Sequence, residues 1–263
     1  MLRALLAIVR RDLVRTLRQR GRLLSALVRP LIWLVVIGGG VETMVANGAG
    51  GYRAFLAPGL IAMTLLFGAM LASLSLVHDK ESGVLRLLLS APLHHAWIVI
   101  ARTLGAAAVA VVQALLLIAV LAAFGYIHAS WSFALLAIGI PATALAAASL
   151  GMVVAVWTRS LDNFAVMMNF VIFPVFFLSG ALYPIQGLPR YLAVAASLNP
   201  FSYGVDILKH AAGGATAPDF PLGCDLAVLL GFVVVATTAA CVRFSSPSTL
   251  AALARLVGGA RGR

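Results

Sequence analysis

Six apolar segments, each near the length of a membrane crossing, constrain this chain more than any other feature of its sequence. An α-helix needs about 20 mainly apolar residues to cross the hydrocarbon core of a bilayer. Runs that reach or nearly reach this length occupy residues 28–45, 56–77, 99–124, 132–157, 164–183 and 222–242. With 62% hydrophobic and only 10% charged residues, the chain is far from the composition of a water-soluble domain. We therefore predict an all-α membrane protein with six transmembrane helices, in which residues 1–263 form a single transmembrane domain.

The basic residues between these segments indicate how the chain is oriented. Six crossings place both termini on one side, and 16 of the 19 lysines and arginines then fall on that side. Cytoplasmic loops are the ones enriched in lysine and arginine, so we predict cytoplasmic termini in a bacterial plasma (inner) membrane. The formal charge of +11 could also suggest nucleic acid, but the bases lie between apolar segments, where lipid headgroups bind them. We expect membrane lipid as a partner and no nucleic acid.

The arginine-rich N-terminus has the pattern of an amphipathic helix over residues 1–25. Apolar residues recur at helical spacing, and basic residues project from the opposite face. The apolar set is Leu2, Leu6, Val9, Leu13 and Leu17, and the basic set is Arg11, Arg15, Arg18 and Arg22. Such a helix lies in the membrane interface. A basic tail without fixed structure is the alternative.

Residues 78–98, between the second and third apolar segments, form a charged cytoplasmic loop. Asp79, Lys80, Glu81 and Arg86 would be costly in hydrocarbon unless paired, so we place this loop in water. Its centre, residues 82–91, has the composition of a short helix, which Pro92 ends because proline lacks a backbone donor. A short surface helix suits docking to a partner. The alternative is a solvated linker.

A second irregular region, residues 184–221, separates the fifth and sixth segments. It contains too much proline and glycine for another crossing and is too apolar for a free loop. We predict two short helices, Leu188–Ser197 and Phe201–Ala212, separated by Asn199 and Pro200. They form a re-entrant or surface-lying pair at the outer leaflet, because non-spanning backbone must be buried in protein or lie near water. Residues 243–263 form a cytoplasmic tail.

The ionisable residues do not support catalysis or ion coupling by this chain. None of the acids is predicted near mid-membrane, where ion-coupled transporters place such groups. Four fall on the cytoplasmic side and four at or outside the outer boundary; they are Asp12, Asp79, Glu81 and Asp162, and Glu42, Asp206, Asp219 and Asp225, respectively. The histidines also fall at or beyond span ends, which argues against a haem or zinc site within the membrane. No glycine-rich phosphate-binding loop of the Walker type occurs. We expect no catalytic residue, metal or cofactor on this chain, and any ATP dependence must come from another polypeptide.

The fifth segment has a cluster that could line a substrate route. Methionine and aromatic side chains adapt to apolar ligands of varied shape. The candidate residues are Met167, Met168, Asn169 and Phe173. Ordinary helix packing is the alternative.

The segment from Phe173 to Ala211 carries a motif of prolines, glycines and polar residues at fixed spacing. It resembles the permease subunits of type-2 ABC exporters, of the compact kind that exports drugs or lipo-oligosaccharides. That family usually has arginine where this chain has Lys209. The charged loop also resembles the family, through Glu81, Gly83 and Pro92, so the resemblance covers nearly the whole chain. The residues that match in the outer motif are Pro174, Ser179, Gly180, Tyr183, Pro184, Asn199, Pro200, Tyr203 and Asp206.

The resemblance implies a non-enzymatic permease subunit that forms a homodimer or heterodimer. This dimer would bind two copies of a separate ABC ATPase and move an amphipathic or lipid-linked substrate outward. ATP and Mg²⁺ would bind to that ATPase. It implies that the N-terminal helix, through Arg11, Arg15 and Arg18, contacts the ATPase, and that the outer helices gate the exit. The coupling residues it implies are Asp79, Lys80, Glu81, Ser82, Gly83, Arg86 and Pro92. Two other functions stay open: a membrane assembly or scaffold subunit, and an ion-coupled secondary transporter.

Overall fold

A computed structural model describes residues 2–18, 20–40, 52–85, 95–127, 131–213 and 217–246. Within these ranges every regular element is helical, which confirms the predicted all-α class. The elements are α1 (Leu2–Arg18), α2 (Arg20–Ile32), a π-helical stretch (Trp33–Gly38), α3 (Tyr52–Glu81), α4 (His95–Ala123), α5 (Phe133–Trp157), α6 (Leu161–Phe177), a 3₁₀ turn (Ile185–Gly187), α7 (Arg190–Leu198), α8 (Pro200–Ala212) and α9 (Leu222–Ser245).

Four helices in the described ranges are long and apolar enough to cross a membrane. They are Phe55–Glu81, His95–Ala123, Phe133–Trp157 and Leu222–Ser245, and they coincide with the second, third, fourth and sixth predicted spans. The first and fifth predicted spans correspond to shorter apolar helices, Ala26–Gly38 and Leu161–Phe177. At about 1.5 Å per residue, these two are shorter than the hydrocarbon core of about 30 Å. Part of the first predicted span, residues 41–45, lies outside the described residues.

Helix α3 is the centre of the bundle. In the most apolar 18-residue stretch of α3, 78% of the residues are buried. The corresponding share in α9 is 22%, so α9 lies at the periphery. Helices α4 and α5 both pack on α3 and also on each other. The contacts are close because glycine lies in them: a side chain at Gly151 of α5 would approach Ser73 Oγ of α3 to 2.6 Å. Small residues at helix interfaces let helices approach closely in a membrane.

The N-terminal region is divided differently from the prediction. A single helix over residues 1–25 was expected, but α2 begins at Arg20 and continues through Ile32 into the first apolar segment. Helix α1 packs against α4. Its described buried side chains include Asp12 and Thr16, so its inner face is partly polar. The side chains of Leu2, Leu6, Leu17 and Arg22 lie outside the described residues.

The charged loop is shorter than predicted. Helix α3 continues to Glu81 and α4 begins at His95, so residues 78–81 belong to a helix and not to a loop. The predicted surface helix, residues 82–91, lies mostly outside the described residues, as do Arg86 and Pro92. The two short helices predicted in the outer region are present as α7 and α8, displaced by one or two residues at their ends.

Candidate functional site

The last turn of α3 places three consecutive charged residues against three different parts of the bundle. Successive side chains on an α-helix are about 100° apart, so neighbours in sequence point in different directions. Asp79 faces α1 and α4, Lys80 faces the end of α5, and Glu81 faces the start of α6. We call this turn, His78–Glu81, the α3 junction. It connects five helices at one end of the bundle.

Asp79 belongs to a buried ion cluster formed by Arg11, Asp12, Asp79 and Arg102, which we call the Arg102 cluster. The side chain of Arg102 is fully buried, and its Nη1 lies 3.1 Å from each carboxylate oxygen of Asp12. Its Nη2 donates to Asp79 Oδ2, which also accepts from Arg11 Nη2 at 3.3 Å. The two guanidinium groups and two carboxylates balance in charge. This balance allows the groups to be buried, because an unpaired ion would be much more costly.

Lys80 caps the C-terminal end of α5. Its ammonium group donates to the carbonyl oxygens of Ala155, Val156 and Thr158 at 2.8, 3.0 and 3.1 Å. The last carbonyl groups of a helix have no partner within the helix and carry a partial negative charge. An ammonium group has three donors and a positive charge, so it satisfies both needs. Lys80 therefore holds α3 and α5 together.

Glu81 caps the N-terminal end of α6. Its Oε1 accepts a hydrogen bond from the backbone N–H of Leu161 at 2.9 Å, and Ser160 Oγ accepts from Asn163 N at 3.2 Å. A carboxylate at a helix N-terminus is favoured by the free N–H groups and by the helix dipole. Glu81 is nevertheless exposed. It is the member of the junction that both contacts a helix and faces solvent.

The predicted coupling residues are thus divided between the interior and the surface. Asp79 is only 4% exposed, which assigns its carboxylate to the interior of the chain. Glu81 and Ser82 are exposed, and Gly83 adopts φ of 74°, a conformation that glycine adopts readily. The structure describes no part of Arg86 or Pro92.

Sequence reasoning missed two residues of the Arg102 cluster. Asp12 was grouped with the cytoplasmic acids, and Arg102 was counted as a cytoplasmic basic residue that fits the family's charged loop, with no partner predicted for either. A signal was present: Asp12 is the only acid among the first 41 residues, and it lies three residues after Val9 and one before Leu13 on the predicted apolar face. Arg11 pairs with Asp79 as described, whereas Arg15 and Arg18 are exposed on α1.

A cavity of about 520 Å³ lies beside the Arg102 cluster. Residues from α1, α3 and α4 line it, and its walls are mainly apolar. The charged or titratable residues on its lining are Asp12, Arg15 and His78. Its combination of basic groups and apolar wall would accept a molecule with an anionic head and a hydrocarbon chain.

At the opposite end of the bundle, the motif residues cap the end of α6. The carbonyl group of Val175 accepts from Asn199 Nδ2 at 2.7 Å, and that of Phe176 accepts from Ser179 Oγ at 2.6 Å. The carbonyl group of Phe177 accepts from the hydroxyl of Tyr183. Such carbonyl groups need partners wherever water is scarce, as at a helix end within a membrane. This need explains why polar residues occur at these positions.

The motif also positions α8. Asn199 Oδ1 accepts from Phe201 N at 3.1 Å, and Pro200 occupies the first turn, where its missing N–H is not needed. Tyr203 donates to the carbonyl group of Ser197 at 2.8 Å. Asn199 therefore joins α6 and α8 through one side chain.

The turn after α6 requires glycine at position 180. Gly180 has φ of 72°, and an added Cβ would lie 2.8 Å from the side chain of Ile185. The next residue, Ala181, packs its carbonyl group against Gly59 of α3, where no side chain would fit. Pro184 precedes the 3₁₀ turn. The turn is thus fixed against the centre of the bundle.

Asp206 holds the segment before α9 onto α8. Its two carboxylate oxygens accept from the backbone N–H groups of Asp219 and Phe220 at 2.7 and 2.9 Å. Burial raises the pKa of the Asp206 carboxyl, and these N–H groups oppose the shift. The buried ammonium group of Lys209 lies 2.6 Å from Asp219 Oδ2. Lys209 thus keeps the charge that the resemblance assigns to this position.

The candidate route residues are distributed around α6, and three of the four are exposed. Met167 and Phe173 are about half exposed, Asn169 is exposed, and Met168 is partly buried. Phe170, also on α6, is 79% exposed. The buried side of α6 packs on α3 through Phe164, Ile172 and Phe176.

Comparison with known proteins gives a consistent assignment. Residues 3–211 match the family model described as ABC-2 type transporter. Nodulation protein J of Rhizobium leguminosarum bv. trifolii is 35% identical over 191 residues, which are 71% of this chain and 72% of the relative. Nodulation protein J of Neorhizobium galegae is 29% identical over 230 residues, 81% of this chain and 84% of the relative. The putative transport permease ycf38 of Porphyra purpurea is 26% identical over 211 residues, 78% of this chain and 72% of the relative.

Proposed function

The chain belongs to the ABC-2 type transporter family, and from this premise we propose that it is the permease subunit of an ATP-driven exporter whose ATPase is a separate polypeptide. Two permease chains and two ATPase chains form the complex, and ATP with Mg²⁺ binds to the ATPase. The substrate is an amphipathic or lipid-linked molecule, such as a drug, a glycolipid or an oligosaccharide carried on lipid. The observation that carries this proposal is the α3 junction, a turn that contacts four other helices and ends at the exposed Glu81.

The junction suits the transmission of movement from a partner. The exposed residues Glu81 and Ser82 and the partly exposed Gly83 offer a contact surface at the end of α3. A displacement of this turn would move α1 and α4 through the Arg102 cluster and α5 through Lys80. Coupling of this kind requires an element with two arrangements that the partner binds differently. The buried residues transmit the movement, and the exposed residues receive it.

We propose six crossings with both termini in the cytoplasm of a bacterial cell, because the basic residues are divided 16 to three between the two sides. The short helices α2 and α6 belong to the first and fifth of these crossings. Helices α7 and α8 form the re-entrant pair at the outer leaflet, and the capping of α6 by Asn199 and Tyr183 fixes their position. The residues between α3 and α4 and those after α9 then lie on the cytoplasmic side, and the region between α6 and α9 lies on the outer side.

The exposed face of α6 supports a second permease chain as partner. Asn169 lies near the middle of α6 and is exposed, and an amide group has no hydrogen-bond partner among lipid tails. Hydrogen bonds to another protein chain, or to water in a substrate route, satisfy this amide group. Met167 and Phe173, which are also exposed on α6, then line the route between two chains. The cavity beside Arg15 accepts the anionic head of a lipid-linked substrate on the cytoplasmic side.

Co-purification followed by mass spectrometry tests the proposed partners. The tagged full chain is isolated from the organism that encodes it, and bound proteins and lipids are identified. We expect an ABC ATPase in stoichiometric amount together with a second permease chain. A preparation that binds no ATPase contradicts the exporter and favours a scaffold subunit.

Substitutions in the exposed turn test coupling in the purified complex. Gly83→Pro cannot adopt the observed φ of 74°, because proline is confined near −65°. Glu81→Arg places a positive charge at the N-terminus of α6, whereas the control Glu81→Gln keeps an oxygen acceptor for Leu161 N. We expect both test variants to reach the membrane normally and to lower ATP hydrolysis and export about tenfold, for about 1.4 kcal/mol of lost coupling. Normal export by both variants would show that the turn is only a linker.

A further inference from the structure

Three side chains able to bind a metal ion meet where α8 approaches the start of α9. Asp206 and His210 lie one turn apart on α8, and Asp225 lies in the first turn of α9. One ligand atom from each lies within 4.8 Å of the others. His210 Nε2 is 3.8 Å from Asp206 Oδ2 and 3.6 Å from Asp225 Oδ2. The carbonyl oxygen of Phe220 lies 3.0 Å from the same nitrogen.

Asp225 is buried, with an exposed fraction of 0%. Its ion-pair partner is His210 Nε2 at 3.6 Å, and among the described residues neither of its carboxylate oxygens accepts a hydrogen bond. A buried carboxylate without hydrogen bonds is costly, so native proteins pair it, protonate it or bind a cation to it. Nearby Asp206 and Asp219 are also acidic, and the ammonium group of Lys209 lies against Asp219. The pair Asp206 and Asp225 therefore has excess negative charge.

We propose that Asp206, His210, Asp225 and the carbonyl group of Phe220 bind a divalent metal ion of the zinc class. Four ligands placed tetrahedrally at about 2.0–2.1 Å from zinc lie about 3.3 Å from one another. The three separations measured from His210 Nε2, 3.0, 3.6 and 3.8 Å, lie close to this value. The metal replaces the proton on Nε2, and the imidazole then carries its proton on Nδ1.

The donor set selects the class of metal. Imidazole nitrogen with carboxylate oxygens suits zinc and related divalent ions, whereas calcium and magnesium prefer oxygen ligands alone. A metal with two charges neutralises the two carboxylates. It also cross-links α8, the segment before α9 and α9 itself at the outer end of the bundle. The prediction from sequence that no metal binds rested on the position of histidines at span ends, and His210 occupies such a position here.

Zinc binding by the purified full chain tests this site. Cys224→Ser serves as the background, because this exposed thiol beside Asp225 could bind zinc by itself. The protein is treated with EDTA, dialysed and titrated with ZnCl₂, and bound zinc is measured by mass spectrometry and calorimetry. We expect one zinc per chain and affinity at least about tenfold weaker in Asp225→Asn and in His210→Gln. Asp162→Asn, which removes an exposed acid on α6, serves as the matched control and should bind normally.

Thermal unfolding gives a second measurement that does not require transport. We expect EDTA to lower the Tm of the background protein and zinc to restore it, with no response in Asp225→Asn. Absence of stoichiometric zinc in the background protein overturns the proposal, as does unchanged binding in both variants. The proposal is also overturned if EDTA does not change the Tm of the background protein and Asp225→Asn has a higher Tm. That result indicates that a shared proton neutralises Asp206 and Asp225. If Asp225→Asn does not fold, His210→Gln and the zinc content of the background protein decide the question.

Discussion

Replacement of Arg102 by glutamine tests the central ion cluster. Arg102 lies between α1 and α3, and its side chain is the cation that bonds to both Asp12 and Asp79. In Arg102→Gln the two carboxylates remain at the buried positions with only Arg11 for compensation. Arg11 is half exposed and lies 3.3 Å from Asp79 and 3.6 Å from Asp12. We expect the variant to lose the attachment of α1 to the bundle.

The size of the effect follows from these contacts. Removing one partner of a buried ion pair costs about 3–5 kcal/mol, because the other partner keeps its charge without compensation. For a chain of this size, about 3–5 kcal/mol corresponds to a decrease in Tm of about 6–20 °C. Removing the acids together with the arginine eliminates the uncompensated charge. The triple variant Asp12→Asn, Asp79→Asn, Arg102→Gln should therefore recover most of the lost stability.

Fluorescence-detected gel filtration after heating measures these Tm values in detergent. Arg159→Gln, which removes an exposed arginine after α5, serves as the control and should remain within about 2 °C of the parent protein. An Arg102→Gln protein as stable as that control would refute the view that the cluster holds α1. A triple variant no more stable than Arg102→Gln would refute the role assigned to charge compensation.

Three further predictions concern the junction, the outer motif and ATP. Lys80→Met leaves the carbonyl groups at the end of α5 without the ammonium donor. It should lower the free energy of unfolding by about 1.5–3 kcal/mol relative to the control variant Arg159→Met. Asn199→Ala removes the hydrogen bond to Val175 and the N-terminal cap of α8, and should lower the free energy of unfolding by about 2–4 kcal/mol. The control Asn163→Ala, at an exposed position, should leave the free energy of unfolding unchanged. The purified chain freed of partners should hydrolyse no ATP, since it has no Walker-type phosphate-binding loop, and activity that stays with this polypeptide through purification would contradict this.

Orientation can be tested by labelling single cysteines in a protein that lacks Cys224 and Cys241. Cysteines at Gly48 and Ala215 should react from outside intact cells, and one at Ser90 should not. The expectation follows from the division of basic residues between the two sides. External labelling at Ser90 would overturn the proposed topology.

Much of the fold could be predicted because membrane insertion depends on local composition. Four of the predicted spans appear as long apolar helices within the described residues, and α7 and α8 appear where proline and glycine interrupt the apolar run. Boundaries were less accurate where charge was taken to end a helix. Helix α3 continues through Asp79 to Glu81, because the partners of these residues lie on other helices and satisfy their charges.

The sequence by itself determined the helical class, the apolar segments and the motif that marks the family, since each depends on residues close together in the chain. Tertiary structure alone decided that Asp12 and Arg102, 90 residues apart, form one buried cluster, and that Asp206, His210 and Asp225 converge. A buried charge is stable only beside a partner of suitable charge and geometry. Which residues become partners depends on how the helices pack, and hydrophobic periodicity along one helix contains no information about the position of another.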